Sequence, residues 1–212
     1  MKLALVIPTR GVIFARTIQS TILSPELPAS TTVHIVSGLP IPDAHNECIS
    51  RALKTDCTHI WFVEEDMEVP VGALTAMIQS AKDGNEYVAI DYPVAKDALS
   101  TIFYDDGKAL WTGFGCTMFS RRLFEEVEPL LTSKYAVNIK QMHPFKYKVI
   151  DDSHRLDRVY GHYDIWFGLQ MQKKGIPITV IPNTVCKHLR MSSWERKTTN
   201  NGVHDIYEVG TT

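Results

Sequence analysis

The chain has 212 residues, of which 44% are hydrophobic and 22% charged, and its formal net charge is −2 at pH 7. These values are ordinary for a soluble globular protein of one domain, and the charge argues against a general nucleic-acid binder. The four cysteines form no Cys-x-x-Cys pair, which favours reduced thiols. Since no apolar stretch approaches the roughly 20 residues that span a bilayer, we expect a soluble, cytoplasmic protein without a membrane span.

Strand and helix patterns alternate in the first half of the chain. A continuous apolar run at residues 3–7 predicts a buried strand, which Pro8-Thr9-Arg10-Gly11 ends. The predicted elements that follow are a helix at 14–23, a strand at 33–36, a helix at 43–53, a strand at 59–63, a helix at 71–81 and a strand at 87–90. This order predicts an α/β fold with a mostly parallel sheet and helices on both faces.

The second half of the chain is less regular. Residues 101–104 and 109–111 flank Asp105-Asp106-Gly107, which is a hairpin signal. Residues 132–160 show no periodicity, and a loop of that length is typical of a functional or mobile segment. The other predicted elements are a strand at 117–120, a helix at 121–131, a helix at 164–174 and a strand at 177–181.

Three acidic residues, Glu64, Glu65 and Asp66, directly follow the predicted strand at 59–63. Adjacent carboxylates repel one another, and a divalent cation removes that cost. In open α/β sheets ligands bind at the carboxyl ends of the strands, and oxygen ligands there suit Mg²⁺ or Mn²⁺ held together with the phosphates of a substrate. The alternative is a solvated acidic turn before a helix that begins near Pro70.

Five segments and one late residue pair stand out along the chain. They are Pro8-Thr9-Arg10, Ala44-His45-Asn46, Phe62-Val63-Glu64-Glu65-Asp66, Trp111-Thr112-Gly113-Phe114-Gly115, Tyr163-Asp164-Ile165-Trp166-Phe167, and Pro182 with His188. In their order and spacing these segments resemble the glycosyltransferases of the GT-A fold, closest to the family 2 type. The resemblance covers residues 3 to 189. It implies a GT-A-like, Rossmann-like fold with a small hairpin and loop region on the acceptor side.

The chain departs from the family pattern at four places. Glu64 stands where the family has the first Asp of its Asp-x-Asp motif, Tyr163 where it has the Glu of a Glu-Asp pair, and His45 where it has Arg. The second predicted strand ends in Ser37-Gly38, where many relatives carry an acid that contacts the nucleotide base. The exchange at Glu64 is mild, because this carboxylate can still accept a ribose hydroxyl or a metal-bound water.

The resemblance implies a donor site for a UDP- or GDP-linked sugar with Mn²⁺ or Mg²⁺. Asp66 is implied as the direct metal ligand, with Glu64 as its partner. His188 is implied as a nitrogen ligand of Mn²⁺ or a phosphate contact, and an ordinary surface histidine is its alternative. Arg10 and Lys187 can pair with phosphates, and ordinary surface positions are their alternative. The other residues implied for nucleotide binding are Pro8, Thr9, Ser37, Asn46, Glu64 and Glu65.

On the acceptor side, Asp164 is the candidate general base. An acceptor hydroxyl must lose its proton as it attacks the anomeric carbon of the sugar, and a carboxylate within hydrogen-bond reach takes that proton. Such a base implies inversion, whereas the alternative role of Asp164 is a helix N-cap. His162 is the reserve base. The residues implied to contact the acceptor are Trp111, Gly113, Tyr163 and Trp166.

We expect a single GT-A-like domain over residues 1–212. Its nucleotide-sugar half covers about residues 1–100, its acceptor and catalytic half about 101–190, and a tail follows at 191–212. The oligomeric state is not predicted by any feature of the sequence.

Two other functions stay open. A nucleotidyltransferase also combines an α/β sheet with carboxylate-bound Mg²⁺, although it usually has a Gly-rich basic loop where this chain has only Arg10 and Gly11. A non-catalytic module that binds a nucleotide or DNA is the other, because basic and aromatic residues cluster at 134–147 and 190–197. DNA binding and sugar transfer combine in a phage-type glycosyltransferase that modifies a DNA base. The expected acceptor is accordingly a glycan, a small molecule or modified DNA.

Overall fold

The computed structural model of the protein describes residues 1–39, 43–95, 98–104, 106–124, 163–189, 193–198 and 204–209. The helices are α1 (Ala15–Ser20), α2 (Asp43–Leu53), α3 (Ala73–Lys82) and α4 (Tyr163–Lys173). The strands are β1 (Leu3–Thr9), β2 (Thr32–Ser37), β3 (His59–Val63), β4 (Met67–Glu68), β5 (Tyr87–Asp91), β6 (Pro93–Ala95), β7 (Ala98–Leu99), β8 (Ile102–Phe103), β9 (Ala109–Trp111), β10 (Cys116–Ser120), β11 (Ile178–Val185), β12 (Lys187–His188), β13 (Ser193–Thr198) and β14 (His204–Val209).

A six-stranded sheet with the order β11-β5-β10-β3-β1-β2 forms the centre of the fold. Strand β1 pairs in parallel with β2 and β3, and β5 pairs in parallel with β11. Strand β10 lies between β3 and β5 and is antiparallel to both. The sheet is therefore mostly parallel, which confirms the predicted fold class and puts the carboxyl ends of β1, β2, β3 and β5 at one edge.

The sheet is covered on both faces. Successive side chains of a strand point to opposite faces, so neighbouring residues belong to different core clusters. Val6 and Phe62 lie in one core cluster with buried side chains of α2 and α4. Leu5 and Trp61, one residue away in each strand, lie in a second cluster with buried side chains of α3. The continuous apolar run at residues 3–7 is thus explained, since both faces of β1 are buried.

Most predicted elements are confirmed, with shifted ends. The hairpin is present, because β8 pairs antiparallel with β9. Helix α3 begins two residues later than predicted, since Gly72 has a left-handed backbone with φ of 86°. The last strand continues past residue 181 to Val185, because its pairing with β5 resumes there after an irregularity that includes Asn183 at φ of 55°.

Some sequence predictions lie outside the described residues. Residues 121–124 are helical, as predicted, but the rest of the predicted 121–131 helix and the 132–160 loop are not among the described ranges. The division into one domain with two halves and a tail stays a prediction. Among the described helices, none has both the length and the apolar character needed to cross a membrane.

Helix α3 receives its N-terminal cap from a distant residue, Glu26. The α3 N-cap, Gly72, has no side chain to offer, and the Glu26 carboxylate instead accepts hydrogen bonds from the Gly72 N–H and from the Thr75 N–H and hydroxyl, the last two at 3.0 and 2.9 Å. Partial burial alone would raise the pKa of Glu26, but these hydrogen bonds outweigh it and hold the pKa below its ordinary value.

Replacement of Glu26 by Gln should therefore lower the free energy of unfolding by about 1 kcal/mol at pH 7. Because the folded pKa is depressed, this contribution is complete above the unfolded Glu pKa of about 4.3 and is lost as the pH falls through the lower folded value. Urea unfolding of both proteins between pH 3 and 7 measures it. Glu47→Gln, which breaks an exposed pair with Arg51 on α2, is the control and should cost about 0.5 kcal/mol or less. A Glu26→Gln difference that does not shrink at low pH would contradict this cap.

Candidate active site at the carboxyl edge of the sheet

The turn after β1 and the acids after β3 meet at the same edge, because the two strands are parallel neighbours. The Arg10 backbone N–H and its Nε both donate to the Glu65 carboxylate. The Glu65 carbonyl accepts hydrogen bonds from the Thr17 hydroxyl at 2.8 Å and from the Phe14 N–H at 3.1 Å. Glu65 therefore ties the β1 turn and α1 to β3, and its predicted contact with a nucleotide stays a prediction.

Asp66 and His188 meet, although 122 residues separate them. The short strands β4 and β12 pair antiparallel, and the Leu189 N–H donates to the Asp66 carbonyl at 2.7 Å. This pairing places His188 Nε2 at 3.2 Å from Asp66 Oδ2. The other ring nitrogen, Nδ1, lies 3.0 Å from the Pro93 carbonyl oxygen. The structure thus brings together two of the three residues predicted to bind metal.

The tautomer of His188 follows from these two contacts. A carbonyl oxygen can only accept, so we assign a proton to Nδ1, and Nε2 then faces the Asp66 carboxylate. Two lone-pair atoms at 3.2 Å need a positive charge between them. A proton supplies it when the imidazole is charged, and the hydrogen bond to Asp66 accordingly raises the pKa of His188. A divalent cation can take the same place, since carboxylate oxygen and imidazole nitrogen both suit Mn²⁺.

Arg10 adds a cation beside the same carboxylate. Its Nη2 lies 3.7 Å from Asp66 Oδ2, and its side chain is 72% exposed. The hydrogen bond that Arg10 donates to Glu65, followed by the charge of that carboxylate, raises the pKa of Arg10, so the guanidinium is permanently charged. A side chain this exposed can turn towards a phosphate without a large rearrangement, which suits the phosphate contact predicted for Arg10.

Glu64 points to other partners than Asp66 and His188. Its Oε1 lies 3.3 Å from both His45 Nε2 and the Tyr163 hydroxyl, which are themselves 2.7 Å apart. In the described part of the chain, no three His, Cys, Asp or Glu side chains are arranged to hold one metal ion. A metal held jointly with substrate phosphates needs only one or two carboxylates from the protein.

Tyr92 lies at the centre of the site and was not found from the sequence. It is 6% exposed, and its ring lies so close to Gly113 that an added Cβ there would stand 1.9 Å from the hydroxyl. Burial is the largest cause that raises the pKa of Tyr92 above its ordinary value, and the next largest are the charges of Glu64 and Asp164. The charge of Glu64, on the predicted donor side, and that of Asp164, on the predicted acceptor side, thus both act on the Tyr92 hydroxyl.

The predicted acceptor residues have mixed surroundings. Gly113 makes room for Tyr92, and Tyr163 packs between Glu64 and the ring of Phe114. Trp111 is only 7% exposed, because Gly168 of α4 lies against its Cβ. The side chain of Trp166 and the whole of His162 lie outside the described residues. Contact of these residues with an acceptor stays a prediction.

The remaining predicted nucleotide residues lie at or near the same edge. Thr9 shapes the turn, because its hydroxyl donates to the Val12 carbonyl and accepts from the Gly11 N–H, both at 2.9 Å. Pro8 is buried in β1, and Ser37 is exposed at the end of β2, in register with Thr9. Asn46 is half-buried in the first turn of α2. The ammonium of Lys187 lies 3.2 Å from Glu68, which also binds Arg16.

The fold is GT-A-like. Many solved structures resemble the chain, among them three at low sequence identity. The crystal structure of A197 from STIV is 12% identical, with a TM-score of 0.55 over all of this chain and 97% of that one. GalNAc-T7 with UDP, GalNAc and Mn²⁺ is 10% identical, with a TM-score of 0.53 over 90% of this chain but only 44% of that one.

The third structure is CMP:2-keto-3-deoxy-manno-octonic acid synthetase complexed with CTP. It is 10% identical over 88% of this chain and 90% of that one, and its TM-score of 0.46 is too low to support an argument. No protein-family model matches the chain, and no curated protein matches it. At such identities the likeness to the first two structures establishes the fold alone.

Proposed function

We propose that the chain is a metal-dependent glycosyltransferase that moves a sugar from a nucleoside-diphosphate donor to an acceptor hydroxyl. The observation that carries this proposal is the contact between Asp66 and His188, with Arg10 beside it, at the carboxyl edge of a GT-A-like sheet. Ligands bind at this edge in open α/β sheets. The likeness in fold to GalNAc-T7, whose structure contains UDP, GalNAc and Mn²⁺, supports a nucleotide-sugar as the donor.

The donor side binds the diphosphate. Asp66 and His188 hold Mn²⁺ or Mg²⁺, and the bound cation stabilises the negative charge that develops on the leaving nucleoside diphosphate. Arg10 turns from Glu65 and Asp66 to pair with a phosphate oxygen. Ser37 and Gly38, at the end of β2, face the base, and the absence of an acid there leaves UDP and GDP both open as donors.

The acceptor side removes a proton. Asp164 lies in the first turn of α4, and its charge acts on the Tyr92 hydroxyl together with that of Glu64. As the acceptor oxygen bonds to the anomeric carbon, the bond from that carbon to the diphosphate breaks, and the acceptor proton passes to an Asp164 oxygen. This displacement inverts the anomeric centre. The acceptor is a glycan, a small molecule or a modified DNA base.

A nucleotidyltransferase is the second candidate, because the same edge of the sheet can hold a nucleoside triphosphate. The turn after β1 argues against it, because a nucleotidyltransferase usually has a Gly-rich basic loop there, whereas this turn offers only Arg10 and Gly11. The products distinguish the two activities. A glycosyltransferase releases a nucleoside diphosphate from a nucleotide sugar, whereas a nucleotidyltransferase releases pyrophosphate from a triphosphate.

Thermal unfolding with UDP or GDP, each with Mn²⁺ and with EDTA, tests the donor site. We expect one nucleotide with Mn²⁺ to add about 2.7 kcal/mol at a hundredfold excess over Kd. For a chain of this length that gain corresponds to a rise in Tm of roughly 5–10 °C. Mn²⁺ without nucleotide is the control. Equal stabilisation in Mn²⁺ and in EDTA would contradict a shared metal and nucleotide site.

A further inference from the structure

The contact among Glu64, His45 and Tyr163 joins three elements of the fold. Glu64 follows β3, His45 lies in α2, and Tyr163 opens α4. The three distances are 2.7 Å from His45 Nε2 to the Tyr163 hydroxyl and 3.3 Å from each of these atoms to Glu64 Oε1. These residues are three of the four departures from the family pattern: His45 lies in the motif of α2, Glu64 in the motif after β3, and Tyr163 in the motif that opens α4. These three departures form one unit.

The direction of the hydrogen bonds follows from burial. His45 is 2% exposed, it stacks on Phe62 with ring centroids 4.8 Å apart, and its Nδ1 is buried without a hydrogen-bond partner in the described part of the chain. A proton on Nδ1 would be a buried, unpaired donor, so we assign the single ring proton to Nε2. Nε2–H then donates to the Tyr163 oxygen, which is 2.7 Å away, and the Tyr163 hydroxyl donates to Glu64.

The hydrogen bonds from His45 to Tyr163 and from Tyr163 to Glu64 hold the Glu64 carboxylate by one of its two oxygens. Oε1 accepts the hydrogen bond, whereas Oε2 receives none from any described residue. Hydrogen bonds in such a chain polarise one another, and a charged acceptor strengthens the last of them. Glu64 is therefore held in one orientation through Oε1, and Oε2 is the oxygen left for a ligand.

We propose that His45 and Tyr163 are positioning residues that hold the Glu64 carboxylate ready for the nucleotide. This inference rests on the proposed function, and it assigns Tyr163 to the donor side rather than to the acceptor contact predicted from the sequence. His45 and Tyr163 do not touch the reacting atoms. They act through Glu64, so their effect must disappear when Glu64 can no longer use them.

A double-mutant cycle on Tyr163 and Glu64 tests this dependence. Tyr163→Phe keeps the ring and removes the hydroxyl, and it should weaken binding of UDP or GDP with Mn²⁺, measured by calorimetry, by about tenfold. Glu64→Ala, which removes the acceptor group, should weaken binding as well, and adding Tyr163→Phe to it should bring no further loss. Tyr87→Phe is the matched control, because the Tyr87 hydroxyl is buried without a hydrogen-bond partner among the described residues. It should bind the nucleotide as the wild type does.

A ligand-free measurement keeps this inference separate from the proposed function. Nitrogen-15 NMR of the histidines should find His45 with its proton on Nε2 in the wild type, and Tyr163→Phe should shift the His45 signals. A proton on Nδ1 would overturn the network even if nucleotide binds. Unchanged nucleotide affinity in Tyr163→Phe, or an equal loss in the Glu64→Ala background, would overturn the positioning role alone. A wild type that binds neither nucleotide with Mn²⁺ or Mg²⁺ would overturn the proposed function and this role with it.

Glu64→Asp, which withdraws the carboxylate from Tyr163, tests the same contact should Tyr163→Phe not fold, and unchanged affinity there would overturn the role.

Discussion

Replacing Asp164 with Asn should lower sugar transfer by about 100- to 10,000-fold, the usual effect of removing a general base. Asn keeps the size of the side chain but cannot take a proton from the acceptor. It can still accept the hydrogen bond that Asp164 Oδ1 receives from the Ile165 N–H at 2.8 Å. The free energy of unfolding should therefore fall by no more than about 1 kcal/mol. Initial rates of transfer, with calorimetry of the nucleotide and Mn²⁺, measure both effects.

The expected pattern is a lost rate with retained donor binding. Nucleotide affinity in Asp164→Asn should stay within a few-fold of the wild type, because Asp66, His188 and Arg10 are unchanged. Asp83→Asn is the matched control, since Asp83 follows α3 at the opposite edge of the sheet. Transfer at a near wild-type rate in Asp164→Asn would reduce Asp164 to a helix-capping residue and make His162 the candidate base.

The fold was largely predictable because its signals are local. The uninterrupted apolar run of β1 and the alternation of strand and helix patterns need no knowledge of distant residues. The position of β10 between β3 and β5 was not predictable, since the order of strands in a sheet depends on contacts between distant segments. The ends of α3 and β11 were misplaced for a local reason, because the backbone at Gly72 and Asn183 is left-handed.

The residues of the candidate site were also predictable only in part. Asp66 and His188 were selected from their motifs, and the pairing of β4 with β12 supplies the contact that the sequence could not display. Tyr92 was missed because it follows β5 directly and reads as another core aromatic. Its position depends on Gly113 and Gly115, which lie in a different segment and make room for its ring. The two glycines two residues apart were the available signal.

The hydrogen bonds among His45, Glu64 and Tyr163 correspond to three departures from the family pattern in the sequence. Each departure from the family pattern, taken by itself, reads as a tolerated exchange. The structure places His45, Glu64 and Tyr163 within 3.3 Å of one another. The carboxylate, the imidazole and the phenol hydrogen-bond to one another without a buried cation, so a change at one position constrains the other two.

Replacing Asp66 with Asn should remove most of the metal-dependent nucleotide binding. Asp66 Oδ2 is the atom that both His188 Nε2 and Arg10 Nη2 approach, and an amide in its place has no negative charge for a divalent cation. At a hundredfold excess of nucleotide over the wild-type Kd, the stabilisation of about 2.7 kcal/mol expected with Mn²⁺ should fall to the value measured in EDTA.

Thermal unfolding of Asp66→Asn with and without Mn²⁺ measures this loss, and transfer should fall together with it. His188→Gln should change binding in the same direction if the imidazole is a ligand, whereas an ordinary surface histidine would leave the affinity unchanged.

Asp56→Asn is the matched control, because Asp56 is also an acid with a cationic partner, Lys2, but lies before β3 at the opposite edge. It should keep the full stabilisation by nucleotide and Mn²⁺. If Asp66→Asn kept it as well, the metal site would have to be sought at other residues, because the contact of Asp66 with His188 would then be held by a proton alone.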